Sequence, residues 1–264
     1  MNYKTKVTPP IYNCWKAPRF DQYNRSRSSI FGPVVRPFKK WTILLATLIQ
    51  IFMATSSSAQ DQQLIYFGDP MCSWCYGFGS ELDQIHAAFP DLDFKMVMGG
   101  LRPYGKEKMS ELDDFLENHW DEIHNKTGKA FKKDILKDLD FVYDTEPPSR
   151  AVVTFRKFLP EKELSFFHAV QRAFYANNKN THLLDTYLEI LDDFDVDKQS
   201  FTKAWKSEEM DRATLAEFRY SGQVGIRGFP SLVLKKGDQY TIVSNGYAKA
   251  EGIIRSIKKE LDKN

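Results

Sequence analysis

The stretch that decides the fold is Asp69-Pro70-Met71-Cys72-Ser73-Trp74-Cys75, in a chain of 264 residues. It follows an apolar run at residues 64–67, whose length and aromatic and β-branched content predict a buried strand. It precedes residues 81–89, where apolar side chains recur at helical spacing. Cys72 and Cys75 are therefore predicted to lie where a strand passes into a helix.

A cysteine pair at the beginning of a helix has a specific chemistry. The free N–H groups and the dipole of a helix N-terminus favour the thiolate, which is the form that attacks a disulfide. We expect Cys72, the more N-terminal of the two, to be the nucleophile. Cys75, one turn further along, can attack a mixed disulfide at Cys72 and resolve it.

Two other uses of a Cys-x-x-Cys pair are less well supported. A zinc site needs about four ligands, but the chain has three cysteines, the third being Cys14, and its five histidines show no paired spacing after the motif. A structural disulfide between Cys72 and Cys75 would close a loop too short to remove much entropy from the unfolded chain. Both alternatives stay open at this point, behind thiol–disulfide exchange.

Residues 1–59 differ in charge from the rest of the chain. They contain nine of the 37 Lys and Arg side chains and one of the 35 Asp and Glu side chains, so the remainder has a formal charge of −6. Such an acidic remainder gives no indication of a nucleic-acid-binding surface.

An export signal is predicted within this basic segment. Lys39 and Lys40 precede a short apolar run at residues 41–54, and small residues follow at Ser57 and Ala59, which predicts cleavage after Ala59. If the run is not cleaved, it could instead anchor the protein in the membrane with its N-terminus inside.

The segment before the signal is unusual for a leader. Residues 1–38 are long and rich in Pro, Arg, Tyr and Phe, which fits either an over-extended gene start or a cytoplasmic tail. Cys14 lies there, so the exported part would contain only Cys72 and Cys75. One cysteine pair in an oxidising compartment favours a catalyst of disulfide chemistry over a protein held together by disulfides.

The rest of the chain predicts two β-containing parts separated by helices. Residues 94–98 form a second strand, parallel to the first because a helix connects them. Residues 106–221 contain helical patterns only, and their apolar stripes are predicted to be core: Met109, Leu112, Phe115, Leu116, Trp120 and Ile123, then Phe131, Ile135, Leu136 and Leu139. A hairpin at 231–235 and 240–244 and a final helix at 249–261 follow.

Several polar side chains receive structural rather than functional interpretations. Glu81 and Asp83 on the motif helix are expected to be solvated surface residues. The histidines of the helical region are expected to be surface residues or satisfied helix residues: His119, His124, His168 and His182.

This order of elements, with the segment Asp69-Pro70-Met71-Cys72-Ser73-Trp74-Cys75-Tyr76-Gly77-Phe78 and the later Gly228-Phe229-Pro230-Ser231-Leu232, resembles the DsbA-like branch of the thioredoxin superfamily. The similarity is to the FrnE-like, or predicted protein-disulfide isomerase, group, and it covers roughly residues 62–260. It implies an α/β thioredoxin-like fold with an all-helical insertion between the βαβ half and the ββα half. The thioredoxin-like domain would then comprise residues 60–105 and 222–264, and the insertion residues 106–221.

The resemblance also implies a site. Pro230 is expected to follow a cis peptide bond and to face the cysteines, while Gly228 and Phe229 offer backbone groups to an extended substrate peptide. Ser73 and Trp74, between the cysteines, are expected to tune the thiolate through a hydroxyl group and an apolar face. No cofactor is implied; the partners would be protein or peptide thiols and disulfides and a redox recycling partner.

The leading hypothesis is a thiol–disulfide oxidoreductase, oxidising, reducing or isomerising protein disulfides in the periplasm or cell envelope. A non-catalytic chaperone or peptide-binding module on the same fold is the alternative from a different class. Glutathione-transferase-like or hydroxychromene-carboxylate-isomerase-like activity is disfavoured, because those relatives use a serine where this chain has Cys72.

Overall fold

A four-stranded sheet organises the computed structural model, which describes residues 62–263. Its strands are β1 (Gln62–Gly68), β2 (Asp93–Met98), β3 (Ser231–Lys236) and β4 (Gln239–Asn245), in the spatial order β2-β1-β3-β4. The β1–β2 pair is parallel, as predicted, and the β1–β3 and β3–β4 pairs are antiparallel. The hairpin of β3 and β4 is also confirmed.

The central strand β1 has a core on each of its faces. Leu64 and Tyr66 point into the cluster that contains both cysteines of the motif, whereas Ile65 and Phe67 belong to a cluster on the opposite face. All four side chains are buried, which is why this strand is a continuous apolar run rather than an alternating one.

The helices follow the predicted order of elements, and the described residues form an α/β fold with a helical segment between β2 and β3. The helices are α1 (Ser73–Ala88), α2 (Asp113–Thr127), α3 (Glu146–Arg156), α4 (Glu163–Tyr175), α5 (Leu184–Ile190), α6 (Lys198–Trp205), α7 (Glu208–Val224) and α8 (Ala250–Leu261). Whether 106–221 is a separate domain from 60–105 and 222–264 stays a prediction.

Local sequence explains where several helices begin. Pro147 and Pro148 lie in the first turn of α3, where a missing N–H group costs nothing. Asp197 accepts a hydrogen bond from the Ser200 N–H at 2.7 Å and so caps α6. Ser207 caps α7 in the same way.

A second core cluster connects the helical segment to the loop before the cysteines. Trp120 from α2 packs edge-on against Tyr175 from α4, with ring centroids 5.2 Å apart. Both side chains share this cluster with Tyr143 and with Met71, the residue that precedes Cys72. The helical segment therefore packs directly behind the motif.

The expectation of helices throughout 106–221 is wrong between α2 and α3. Gly128 ends α2 with a φ of 72°. The chain after it returns past the segment that precedes α2, where the Met109 N–H donates to the Phe141 carbonyl at 2.7 Å. Only a short 3-10 turn, Asp134–Lys137, interrupts this extended path. Its one turn buries Ile135 and Leu136 but leaves Leu139 50% exposed.

One member of the predicted α2 stripe is also outside the core. Phe115 is 60% exposed, whereas Leu116, Trp120 and Ile123 are buried. Its ring lies on the solvent side of the helix and stacks on His119 at 5.2 Å between centroids.

The predicted export segment at 41–54, the leader at 1–38 and Cys14 lie outside the described residues. Among residues 62–263, no helix has the length and apolar character needed to cross a membrane.

Candidate active site

Cys72 occupies the N-cap position of α1. Its backbone is extended, with φ −84° and ψ 114°, and its N–H group donates to the Asp69 carbonyl at 3.1 Å. No acidic side chain lies in the first turn of α1, so the positive end of the helix dipole is not neutralised there. The placement of the cysteines between strand and helix is confirmed.

The two cysteines are free thiols, and both are buried. Cys72 is 5% exposed and Cys75 is 1% exposed. Burial raises the pKa of Cys75 well above its ordinary value, and the neighbouring Cys72 sulphur adds to this effect. Cys75 is therefore held as a protonated thiol in the reduced protein.

The loop before β3 lies against Cys72. The Cys72 Sγ is 3.6 Å from the Phe229 carbonyl oxygen and donates an S–H hydrogen bond to it, across 157 residues of sequence. The Phe229–Pro230 peptide bond is cis, as the resemblance implied. Thus the structure brings the Phe229 carbonyl to the motif, whereas the expectation that Pro230 faces the cysteines stays a prediction.

Contacts of Gly228 and of the Phe229 ring hold this loop in place. The Gly228 carbonyl accepts a hydrogen bond from the Ser231 hydroxyl at 2.8 Å. The Phe229 ring lies over Gly99 at the end of β2, where an added Cβ would meet the ring at 2.0 Å, and the residue packs against the core clusters on both faces of the sheet. Phe229 therefore presents its backbone carbonyl to Cys72, while its ring lies against Gly99.

The dipeptide between the cysteines has two different environments. Ser73 is buried, with 7% of its surface exposed. Trp74 is half-buried and packs against His119 from α2 and Tyr247 after β4, at 5.7 and 5.6 Å between centroids. Lys126 lies over the Trp74 ring at 5.5 Å, which adds a positive charge beside the motif.

Two tyrosines hold the residue before the nucleophile. Tyr143 and Tyr175 both donate hydrogen bonds to the Met71 carbonyl, at 2.7 and 2.5 Å. Sequence analysis missed both, because nothing in their local pattern distinguishes them from ordinary core aromatics of the helical segment.

Asp69 is a buried acid that sequence analysis also missed. Its two carboxylate oxygens accept from the Met71 N–H at 2.9 Å and the Leu101 N–H at 2.8 Å, and the residue is 0% exposed. Burial raises the pKa of Asp69 to about 6, although the Leu101 and Met71 N–H groups act in the opposite direction. The only signal was its place in the turn Gly68-Asp69-Pro70.

The expectation that Glu81 is a solvated surface residue is wrong. Glu81 is 8% exposed, and its carboxylate accepts from the Ala250 N–H at 2.8 Å and from Lys249 Nζ at 2.9 Å. These contacts form because the inner face of α1 packs against the beginning of α8. Asp83 is exposed as expected and pairs with His168 at 3.0 Å.

Comparison with known proteins gives structural matches. No family model and no curated protein sequence matches the chain. A "putative protein disulfide isomerase" from Nitrosomonas europaea is 32% identical, with a TM-score of 0.72, over 77% of this chain and 99% of that one.

Two more distant structures share the fold. The cytosolic disulfide reductase DsbM from Pseudomonas aeruginosa is 22% identical, with a TM-score of 0.62, over 75% of this chain and 98% of that one. A "probable DsbA oxidoreductase" from Streptomyces coelicolor is 15% identical, with a TM-score of 0.61, over 77% of this chain and 91% of that one.

The fold, the sheet order and the 32% identity to a structure that the chain covers almost completely lead to one assignment. The chain belongs to the DsbA-like thioredoxin-fold proteins and is a thiol–disulfide oxidoreductase.

Proposed function

We propose that Cys72 is the nucleophile and Cys75 the resolving thiol of a dithiol centre that exchanges disulfides with exported proteins. The observation that carries this proposal is the position of Cys72, at the beginning of α1 and 3.6 Å from the carbonyl of Phe229. The helix N-terminus offers free backbone N–H groups beside the Cys72 sulphur, and the loop next to it offers backbone groups to a peptide.

The exchange balances without a cofactor. When the reduced protein acts, the Cys72 thiolate attacks a substrate disulfide, forms a mixed disulfide and releases one substrate thiol. The Cys75 sulphur then attacks the Cys72 sulphur, and the second substrate sulphur leaves and takes up the proton that Cys75 loses. In the opposite direction a substrate thiolate attacks Cys72 of the oxidised pair, and Cys75 is the leaving group.

Gly228, Phe229 and Pro230 form the backbone side of the proposed peptide site. A bound peptide would replace the Cys72 S–H contact with the Phe229 carbonyl and pair with this loop as a short strand. Trp74 and the exposed ring of Phe115 provide apolar surface beside it, joined through His119. Ser73 and Trp74 are the proposed tuning residues.

The test is a redox titration of the full chain carrying Cys14→Ser, so that only one pair reports. After equilibration in glutathione buffers the thiols are trapped and counted. A potential of about −120 to −200 mV would place the protein with oxidases and isomerases, and one near about −270 mV with reductases. Failure of the pair to exchange would contradict the proposal.

Single-cysteine variants separate the two roles. With a peptide disulfide, Cys75→Ser should accumulate a mixed disulfide at Cys72, because the resolving thiol is missing. Cys72→Ser should form none, since Cys75 is almost completely buried. Trapping through Cys75 in the Cys72→Ser variant would reverse the assignment.

The fold does not decide the compartment, because a cytosolic disulfide reductase has the same fold. The proposal for the compartment therefore rests on the sequence. Lys39-Lys40, the apolar run at 41–54 and Ala59 support export to the periplasm or cell envelope. Cell fractionation followed by mass measurement of the mature chain tests this proposal. A chain beginning at Gln60 supports cleavage, a membrane-bound chain that keeps 41–54 supports the anchor, and a cytosolic chain contradicts both.

A chaperone-like function has one specific observation in its favour. Six large apolar or aromatic side chains of the described residues are at least 40% exposed, among them Leu101 at 40%, Tyr104 at 48% and Phe115 at 60%. Replacing Cys72 and Cys75 together by serine removes exchange. If suppression of aggregation survives in that double variant, peptide binding is an activity in its own right.

A further inference from the structure

Tyr66 is the one polar side chain in the buried run of β1 from Leu64 to Phe67. It is 0% exposed, and its hydroxyl has no hydrogen-bond partner of good geometry among the described residues. Leaving a buried hydroxyl unpaired destabilises the folded state, so such a group calls for an explanation. Its neighbours indicate what the hydroxyl serves.

The packing of Tyr66 directs the hydroxyl toward the cysteines. The ring stacks on Phe78 of α1 at 6.3 Å and meets Phe167 edge-on at 6.0 Å. Its outer end lies over Gly68, where an added Cβ would be 2.6 Å from the hydroxyl oxygen. Because Gly68 ends β1 just before the motif, the hydroxyl reaches along the strand to the beginning of α1.

Tyr66 and Cys75 belong to the same buried cluster. Burial is the main reason that the pKa of Tyr66 lies well above its usual value, and the Cys75 sulphur is the next reason. In the other direction, burial and Cys72 raise the pKa of Cys75, while the Tyr66 hydroxyl lowers it. The hydroxyl thus stays protonated beside a sulphur that must lose its proton.

The other polar groups near Cys75 are already engaged. The Asp69 carboxylate accepts from two backbone N–H groups, and the Cys72 thiol turns to the Phe229 carbonyl. The Asp69 backbone is a second group that favours the Cys75 thiolate. Among side chains of the described residues around Cys75, Tyr66 is therefore the donor without another acceptor.

We propose that the Tyr66 hydroxyl donates a hydrogen bond to the Cys75 thiolate whenever Cys75 attacks or leaves, and is a catalytic residue of the exchange. This inference rests on the proposed roles of Cys72 and Cys75. In the resolving step the Cys75–Cys72 bond forms, the bond from Cys72 to the substrate sulphur breaks, and the proton of Cys75 passes to the departing substrate thiolate. Tyr66 keeps its own proton throughout.

The test uses Tyr66→Phe in the full chain with Cys14→Ser, and 5,5′-dithiobis(2-nitrobenzoate) as the substrate. Attack by Cys72 releases one coloured thiolate, and resolution by Cys75 releases the second, so the two steps are seen as separate phases. The matched control is Tyr220→Phe. Tyr220 donates to the Tyr240 hydroxyl at 3.3 Å in the cluster on the opposite face of the sheet.

We expect only the second phase to change. Losing the hydrogen bond should move the midpoint of its pH profile upward by about one unit. A less acidic thiol is a better nucleophile once ionised, so tenfold less thiolate becomes a rate about threefold slower below the midpoint. The first phase of Tyr66→Phe and both phases of Tyr220→Phe should match the parent protein.

Stability gives an independent readout. Because the Tyr66 hydroxyl lacks a partner in the reduced fold, Tyr66→Phe should unfold at the same urea concentration as the parent or at a higher one. A slower second phase with unchanged stability and a shifted midpoint supports the proposal. An unchanged second phase in a folded variant, or an equal slowing of both phases with no shift in midpoint, would overturn it.

Two further arms keep the result interpretable. Loss of the first phase is expected only in Cys72→Ser; if that variant still shows it, the proposed function itself fails. If Tyr66→Phe does not fold, the Cys72→Ser protein is labelled with ¹³Cζ-tyrosine instead, and its tyrosine signals are followed by NMR. The variants Tyr143→Phe and Tyr175→Phe identify the signals of the two other buried tyrosines near the motif. The Tyr66 signal must then titrate with the Cys75 thiolate absorbance, and a signal that does not move overturns the proposal.

Discussion

The Tyr175 hydroxyl donates a hydrogen bond of 2.5 Å to the carbonyl of Met71, the residue immediately before Cys72. The two residues are 104 positions apart in sequence. The same carbonyl also accepts from Tyr143 at 2.7 Å. The helical segment therefore fixes the backbone from which the nucleophile projects.

Tyr175→Phe should lower the free energy of unfolding by about 1 kcal/mol, the usual value for one neutral hydrogen bond. Replacing both Tyr143 and Tyr175 by phenylalanine should lower the free energy of unfolding by more than the sum of the two single changes. The reason is that the buried Met71 carbonyl then loses both donors. Urea unfolding of the two single variants and the double variant measures this coupling. Simple additivity would show that the two hydroxyls do not share the carbonyl.

Gly99→Ala should destabilise the protein by about 1 to 3 kcal/mol and slow exchange at Cys72. The added methyl group would lie 2.0 Å from the Phe229 ring, so the loop that carries the Phe229 carbonyl must move. Gly222→Ala in α7 is the control, since nothing lies within 4 Å of its added Cβ. Urea unfolding and the rate of Cys72 alkylation are measured for both variants. Equal alkylation rates in the two variants would show that the packing of the Phe229 ring does not affect Cys72.

Glu81→Gln should cost about 1 to 2 kcal/mol at neutral pH, because the carboxylate accepts from the Ala250 N–H and from Lys249. Although burial acts in the other direction, these donors hold the pKa of Glu81 below its ordinary value of 4.5. A lowered pKa means that the stabilisation is present above that value and is lost as the pH falls through the native pKa.

The measurement for Glu81 is urea unfolding at several pH values. The difference in free energy of unfolding between the parent and Glu81→Gln should become smaller below about pH 4.5. The control is Glu251→Gln, whose side chain is 83% exposed and pairs with Arg255. A difference that stays constant with pH would contradict a role for the Glu81 charge.

Asp69→Asn should remove part of the pH dependence of stability. Burial raises the pKa of Asp69 to about 6, so the native state holds a proton that the unfolded state releases above its ordinary pKa of 3.8. The parent should therefore lose stability as the pH rises from about 4 to 6 and then level off. In the variant this slope should be absent.

At neutral pH the same variant should also be less stable, by about 1 to 3 kcal/mol. An asparagine must turn its NH₂ group toward the N–H of Met71 or that of Leu101, whereas the carboxylate accepts from both. Urea unfolding between pH 4 and 8 reads both effects. A parallel pair of pH profiles would contradict the raised pKa.

Much of the fold was predictable because its signals are local. A buried apolar run, a turn and a helical repeat place Cys72 and Cys75 within a few residues, and Pro147-Pro148 marks the beginning of α3. The failures are local as well. Leu139 fits helical spacing, yet a single 3-10 turn is enough to bury Ile135 and Leu136, and Leu139 remains exposed to solvent.

The site was only partly predictable. Sequence similarity pointed to Phe229 and Pro230 beside Cys72, but Glu81 was assigned to the surface and Asp69 was overlooked. Burial of a carboxylate depends on which helix end or loop packs against it. Ala250, which pairs with Glu81, is 169 positions away in sequence, so no local pattern could have indicated the contact.

By itself, the sequence determined the order of strands and helices, the cysteine pair at a helix N-terminus and the proline before β3, because propensity and periodicity act over a few residues. Only the tertiary structure decided which groups surround the sulphurs. The Phe229 carbonyl at Cys72 and the two tyrosines on Met71 come from distant elements. Their contacts depend on how each helix is rotated and packed, which spacing along the chain does not specify.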